Sequence, residues 1–286
     1  MQEKAELGYK TIAVVVTDAA ANAVALAAAA TIAWREGAHL DVYCVGAYQL
    51  NIDGWSMGGT AIMLENPTAQ ATESASNLME WARKALPADL TQVNLQTSIV
   101  SFEGMDAILA QQIRYADLIV VTQPYGKGRS PLLVTVAETA LFGTDAPVLV
   151  VPDSSTDLGQ PFRHALVAWN GGAESLSAIR KALPLLQAAE RVDIIMVDPP
   201  SHSAERADPG GSICRMLSRH GVKAEVSILS KSLPRVSDVI SRHAREQGAD
   251  VIVMGAYGHS RFRESIFGGA TREMLEHAAL PVLMAH

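Results

Sequence analysis

Only two cysteines occur in 286 residues, Cys44 and Cys214, one in each half of the chain. That count excludes a disulfide framework and a thiolate metal cluster, and both residues are expected to be small buried apolar groups. Basic residues are few as well: 23 Lys and Arg stand against 30 Asp and Glu, a formal charge of −7. Such a chain offers nucleic acid no general electrostatic footprint. Long apolar runs are missing too. The Ala-rich stretch 19–34 is interrupted by Asn22 and Thr31 and followed by Arg35-Glu36, so it reads as a soluble helix and not as a membrane span. The opening MQEKAELGYK lacks the order of a signal peptide, and the expected location is the cytoplasm. Neither GxSxG nor HExxH occurs, and His202, His220, His243, His259 and His277 have no metal-ligand spacing. No catalytic residue and no metal ligand is assigned. His220 and His243 fall near expected helix ends, where an imidazole favours the C-terminal dipole.

What the chain has is apolar content, 49%, arranged in a repeat. Ala116-Asp-Leu-Ile-Val-Val121 is followed by Ala146-Pro-Val-Leu-Val-Val151. Ala249-Asp-Val-Ile-Val-Met254 is followed by Leu280-Pro-Val-Leu-Met-Ala285. The starts correspond as well, Tyr9 to Asp18 with Phe162 to Asn170. Continuous apolar runs suit parallel strands covered on both faces, and alternation with helices predicts a doubly wound α/β fold. In the second half, strands are expected near 164–169, 191–197, 222–229, 250–254 and 281–285. Helices are expected near 173–188, 209–220, 234–247 and 269–278. Two domains are predicted, 1–152 and 162–286, joined by a polar linker over 153–161. The first half alone carries a glycine-bearing stretch, Tyr48 to Pro67, which reads either as a lid or interface element or as an exposed insertion. A helix over 70–85 is expected to face the core with Leu78, Trp81 and Ala82.

In a doubly wound sheet, ligands sit beyond the carboxyl ends of the strands where strand order reverses. Three stretches of the second half fall there: Ala168-Trp169-Asn170-Gly171-Gly172, Val197-Asp198-Pro199-Pro200, and Gly255 to Thr271. Asp198 reads as a ribose partner or general base, or as an aspartate capping its loop. The last stretch, GAYGHSRFRESIFGGAT, holds Gly255 and Gly258 at a strand end and Gly268, Gly269, Ala270 and Thr271 at a helix start. Free N–H groups at such a start suit an anion. His259, Ser260, Arg261 and Arg263 lie between. Spacing alone leaves two readings open, a phosphate cradle and a glycine turn.

The pattern G-x2-G-x9-G made by Gly255, Gly258 and Gly268 resembles the nucleotide-binding signature of the universal stress protein family, in two tandem copies across almost the whole chain. The resemblance implies two doubly wound parallel-sheet domains of the adenine-nucleotide alpha-hydrolase-like type. It implies a regulatory, stress-response protein that binds ATP or another adenine nucleotide, with Mg2+ accompanying the nucleotide. By the same resemblance the binding residues are Ala168, Trp169, Asn170, Val197, Gly255, Gly258, His259, Gly268, Gly269, Ala270 and Thr271. Asn170 replaces a family aspartate, and Gly269 replaces a family Ser or Thr. In the first half Asp18 is placed at the aspartate position. Thr122-Gln-Pro-Tyr-Gly126 replaces the first glycines, and Glu138 to Gly143 is placed at the helix start, so that site reads as degenerate. Lys127 and Arg129 read as solvated loop residues. Family members dimerise through the final strand. Two copies in one chain are expected to make that contact internally as a pseudo-dimer, with a homodimer of chains a further option. An interaction protein with vestigial pockets and a weak ATPase are the alternative functions.

Overall fold

Short runs of Val, Ile and Leu become strands because helices cover both of their faces. In the computed structural model, which describes residues 8–49, 67–155, 158–199, 208–256 and 269–286, they form one ten-stranded sheet. The first half supplies β1 (Thr11–Val16), β2 (His39–Tyr48), β3 (Val93–Ser101), β4 (Leu118–Thr122) and β5 (Val148–Val151). The second supplies β6 (His164–Ala168), β7 (Arg191–Val197), β8 (Ala224–Leu229), β9 (Val251–Gly255) and β10 (Val282–Ala285). The order across the sheet is β3-β2-β1-β4-β5-β10-β9-β6-β7-β8. Inner strands such as β4, β5 and β10 are buried along their whole length. The edge strands β3 and β8 carry exposed residues among half-buried ones. Alternate residues enter different cores: Ile12, Val14 and Val16 on one face, Ala13 and Val15 on the other.

Helices α1 (Ala23–Glu36), α2 (Pro67–Ala85), α3 (Met105–Ile113) and α4 (Pro131–Gly143) belong to the first half. The second half has α5 (Ala173–Lys181), α6 (Leu183–Ala188), α7 (Gly211–Arg219), α8 (Val236–Gln247) and α9 (Gly269–His277). The single helix expected over 173–188 is two. Pro184 has no N–H to continue α5 and instead occupies the first turn of α6. The helix expected over 70–85 begins at Pro67. Its buried face is Ala71, Ala75, Leu78 and Ala82, while Trp81 is only half-buried. Gly46 explains the small residues: a Cβ there would lie 1.9 Å from the Ala71 carbonyl oxygen, so α2 rests directly on β2. The stretch read as lid or insertion falls largely on 50–66, outside the described residues.

The sequence repeat has a physical counterpart at the strand starts. Asp117 Oδ2 accepts from the backbone N–H of Lys10 at 2.8 Å and of Thr11 at 2.9 Å. Asp250 Oδ2 accepts from Arg163 and His164 at the same two distances. Each clamp ties the start of a half's first strand to the start of its fourth. The two halves meet where β5 and β10 pair antiparallel, Val150 opposite Val282, Leu149 opposite Leu283 and Val148 opposite Met284. All other strand pairs are parallel. Around this seam Gln123 Nε2 donates to Ala278 O at 3.2 Å, Lys181 pairs with Asp145 at 2.7 Å, and the Arg272 guanidinium sits 3.5 Å from the Tyr125 ring centroid.

Cys44 is buried on β2, and burial pushes its thiol up to about 11. Cys214 is half-buried and its Sγ donates to Ala224 O at 3.3 Å. Arg129 is not a solvated loop residue: its side chain is 15% exposed and pairs with Asp153 at 2.6 Å. No helix among the described residues is long and apolar enough to cross a membrane.

Two expectations follow for stability. Asp117→Ala and Asp250→Ala each leave two backbone donors without their acceptor and lower unfolding free energy by about 1–3 kcal/mol, read by urea denaturation. Gly46→Val costs about 3 kcal/mol or more in the same measurement, because its Cβ meets backbone that cannot move as a flexible side chain can.

Candidate functional site

The strand order reverses between β9 and β6, which leave for opposite directions across the sheet. Beyond their carboxyl ends lies a cavity of about 120 Å³. β6 ends at Ala168, and Trp169 keeps one more sheet bond, donating its backbone N–H to Ile195 O at 2.9 Å. Asn170 then turns the chain. Its Oδ1 accepts from the Gly172 N–H at 2.9 Å and from the hydroxyl of Ser175, buried in the first turn of α5, at 2.8 Å. Gly171 takes the left-handed conformation this turn needs, at φ 79°. Val197 closes β7. Asp198 follows at φ 43°, exposed, with its N–H donated to Leu229 O. It lies outside the cavity lining and fits the loop reading.

Gly255 of the signature and Gly269 just after it, the two described glycines of this stretch, have different causes. A Cβ on Gly255 would come 2.5 Å from the Ser175 backbone nitrogen. Gly255 is therefore what lets α5 approach the end of β9. A Cβ on Gly269 would meet only Glu273 Oε1, at 3.9 Å. Nothing steric demands glycine at that helix start. Helix α9 is held in place by its side chains: Ser237 Oγ donates to Glu273, Arg235 pairs with Glu273 at 3.3 Å, and Arg272 stacks on Tyr125.

Of the residues expected in a site, Ala168, Trp169, Asn170, Val197, Gly255 and Ala270 line this one cavity. Gly269 stands next to it at the start of α9, and Thr271 is buried at 5% exposure without lining it. Gly258, His259 and Gly268 lie outside the described residues. Residue spacing did not point to Val236 and Ile240, one turn apart on α8, or to Ile195, Met254 and Ser175. The i, i+4 pair on α8 was visible as an amphipathic stripe, but its position over the strand ends is set only by packing. The described lining offers no carboxylate, and no group of three His, Cys, Asp or Glu gathers among the described residues. These residues do not fit a protein-held Mg2+. A larger groove of about 610 Å³ runs between α3 and α4 past Asp106, Glu138 and Phe142. It lies along helix flanks, away from a switch point.

The first half builds its equivalent place differently. Counting from the strand starts sets Tyr43 opposite Ile195 and Thr17 opposite Asn170. Asp18 thus corresponds to Gly171, contrary to the expectation from the resemblance. It is exposed and caps its own turn by accepting from the Ala21 N–H at 2.7 Å. Tyr43 is buried, with its hydroxyl donating to Gln112 O at 2.9 Å. Counting from Asp117 and Asp250 sets Tyr125 opposite Gly258; its hydroxyl donates to Glu138 at 3.2 Å. Glu138 to Gly143 does not begin a helix. α4 starts at Pro131 behind Ser130, whose Oγ accepts from the Leu132 N–H, so Glu138 to Gly143 is the C-terminal half of α4.

Comparison with known proteins agrees with this architecture. Residues 161–286 match the model of the universal stress protein family. A universal stress protein of Synechocystis sp. is 28% identical over 138 residues, which cover 48% of this chain and 46% of that one, so the match spans about half the length of the relative. A universal stress protein from Archaeoglobus fulgidus shares the fold of nearly the whole chain, at a TM-score of 0.69 and 15% identity over 98% of this chain and 97% of the other. A functionally unknown protein from Pseudomonas aeruginosa PAO1 does so at a TM-score of 0.58 and 17% identity, over 99% and 94%. Residues 161–286 thus form a domain of the universal stress protein family, and the chain as a whole shares the fold of the solved universal stress protein from Archaeoglobus fulgidus.

Proposed function

We propose that the crevice beyond β6, β7 and β9 binds an adenine nucleotide, and that the protein is a nucleotide-dependent regulator in a stress response. The observation that carries this reading is the convergence of the Trp169-Asn170 turn, Val197, Gly255 and Ala270 on one cavity at a switch point. Val197, Val236, Ile240 and Met254 give it apolar walls suited to a flat ring. The start of α9 brings its first-turn backbone N–H groups and the positive end of the helix dipole toward the place the phosphates would take. The remaining signature residues, Gly258, His259, Gly268 and Thr271, enter on the strength of the sequence pattern. Domains over 1–152 and 162–286 with a linker over 153–161, and a single working site in the second domain, complete the proposal. Tyr43 and Tyr125, standing where the second half has Ile195 and Gly258, support the one-site reading.

Such a site gives the ligand a route to the rest of the chain. Helix α9 is tied to α8 through Glu273 and to the first half through Arg272 and Ala278. A ligand that binds one arrangement of α9 better than another shifts the population by that difference and no more.

Two measurements check the reading. AMP, ADP and ATP at millimolar concentration are expected to raise the melting temperature of the full chain; no shift with any of the three leaves the vestigial-pocket alternative standing. Gly269→Asp is expected to keep the ligand-free stability within about 0.5 kcal/mol, since an acid at a helix start suits the dipole and the new Cβ meets only Glu273 Oε1, at 3.9 Å, among the described residues. The same variant is expected to weaken nucleotide binding by about tenfold or more through charge repulsion, read by calorimetry.

A further inference from the structure

The groove of about 610 Å³ between α3 and α4 takes no part in the site described above, and its chemistry is of another kind. Each helix connects parallel strands of the first half, so the two run side by side in the same direction. They touch where small residues meet: a Cβ on Gly143 would lie 2.9 Å from the Ala110 Cβ. Phe102, in the 3-10 turn that leads into α3, stands toward one end of the groove, and Phe142, in the last turn of α4, toward the other. The His286 ring packs on Phe142 at 5.2 Å and steadies that end. Asp106 on α3 and Glu138 on α4 line the groove between these aromatic ends. Asp106 has no hydrogen bond or ion pair among the described residues. Glu138 is half-buried, and its one bond among the described residues comes from the Tyr125 hydroxyl, 3.2 Å from Oε1. Thr139, only 5% exposed, also lines the groove, and its hydroxyl makes no hydrogen bond among the described residues. The described lining holds no Lys, Arg or His. The matching helix pair of the second half neutralises its own acid: Glu273 of α9 pairs with Arg235 at 3.3 Å and accepts from Ser237.

We propose that this groove docks a basic amphipathic segment of a partner protein, with an Arg or Lys set between Asp106 and Glu138 and apolar residues one helical turn to either side, against Phe102 and Phe142. Charge complementarity selects the cation: two carboxylates without a cationic partner line one surface, and partial burial weakens the screening by water around Glu138. A guanidinium suits the place best, since its fork of donors can meet a carboxylate and the Thr139 hydroxyl together. The groove is larger than one Lys or Arg side chain, so the cation is one of several groups it receives. Aromatic ends with acids between them match a helix laid in a groove, whose anchors recur every three or four residues. The small residues Ala107, Ala110 and Gly143 let such a helix come close to α3 and α4.

The test is fluorescence anisotropy of the full chain with a dye-labelled helical peptide that carries a central Arg and a Leu one turn to either side. A second peptide with Glu in place of the Arg, and agmatine as a free small cation, are the comparison probes. The Arg peptide is expected to saturate the wild type and the Glu peptide to bind at least about tenfold more weakly. Asp106→Asn combined with Glu138→Gln is expected to weaken the Arg peptide by about tenfold or more, while the amide oxygen at 138 still accepts from Tyr125. Asp89→Asn combined with Glu225→Gln removes the same charge from exposed positions elsewhere and is expected to change binding by less than about twofold. Ala107→Arg, at an exposed position of α3, puts the chain's own guanidinium into the groove and is expected to weaken the peptide by about tenfold with every carboxylate intact. The proposal is overturned if the wild type does not bind the Arg peptide, if both peptides bind alike, or if the two charge-removing pairs weaken binding equally. It is overturned as well if agmatine binds as tightly as the peptide, since the occupant is then a free small cation. Should the variant at 106 and 138 fail to fold, Ala107→Arg decides alone, and unchanged peptide binding in it overturns the proposal.

Discussion

The antiparallel pairing of β5 with β10 sets the rest of the architecture. Each half, taken alone, would end its sheet on a strand of four apolar residues with an unpaired backbone edge. Joining the two edges buries Val148 to Val151 and Val282 to Ala285 at about 1% exposure or less. It also reverses direction. Strands of the first half point one way and strands of the second the other, so the two carboxyl-end crevices lie at opposite ends of the sheet. The C-terminal residue of the second half accordingly packs against the far end of α4, with the His286 and Phe142 rings 5.2 Å apart. The described lining of the cavity beyond β6, β7 and β9 comes from the second half alone. Side chains also cross the seam, among them Arg272 on Tyr125.

Much of this was legible in the sequence because both faces of the inner strands are covered. Continuous apolar runs such as LIVV and VIVM then have one stable arrangement, and their bounds fell within about two residues of the observed strands. The edges were less exact: β8 begins at Ala224, not 222, since an edge strand alternates and its start has no apolar marker. Pro184 inside a predicted helix was a local signal strong enough to split it. The paired Ala-Asp of the repeat was visible as a repeat. Its role as a backbone clamp was not, because the acceptor's partners lie 86 to 107 residues away.

The site was legible in part, for a reason that separates its residues cleanly. Trp169, Asn170 and Val197 follow directly from strand ends, and a topological rule finds strand ends. Val236 and Ile240 belong because α8 crosses above those ends, a fact of packing. The first half misled for a related reason. With no glycines to count from, Glu138 was set at a helix start that Ser130 and Pro131 occupy instead. Counting from Asp117 and Asp250, which hold the same bonds in both halves, also sets Glu138 opposite Thr271, so that offset serves at the strands and not at the start of α4, which lies earlier, at Pro131.

Those fixed offsets show what each half does with the same position. Within its second strand the first half places Tyr43, whose ring is buried and whose hydroxyl is bonded; the second half places Ile195 at the corresponding position and leaves a cavity beside it. Filling such space adds packing contacts, and leaving it open forgoes them. Among the described residues the second half also leaves the Trp169 indole N–H without an acceptor, and the oxygen next along the chain, Asn170 Oδ1, is committed to Gly172 and Ser175. Buried polar side-chain atoms without a described partner occur in both halves, Thr122 Oγ1 in the first and Trp169 Nε1 in the second. The two described glycines of the stretch Gly255 to Thr271 divide by cause. Gly255 answers to the packing of α5, which any copy of the fold could require. A Cβ on Gly269 would meet only Glu273 Oε1 among the described residues, at 3.9 Å, so packing does not require glycine there.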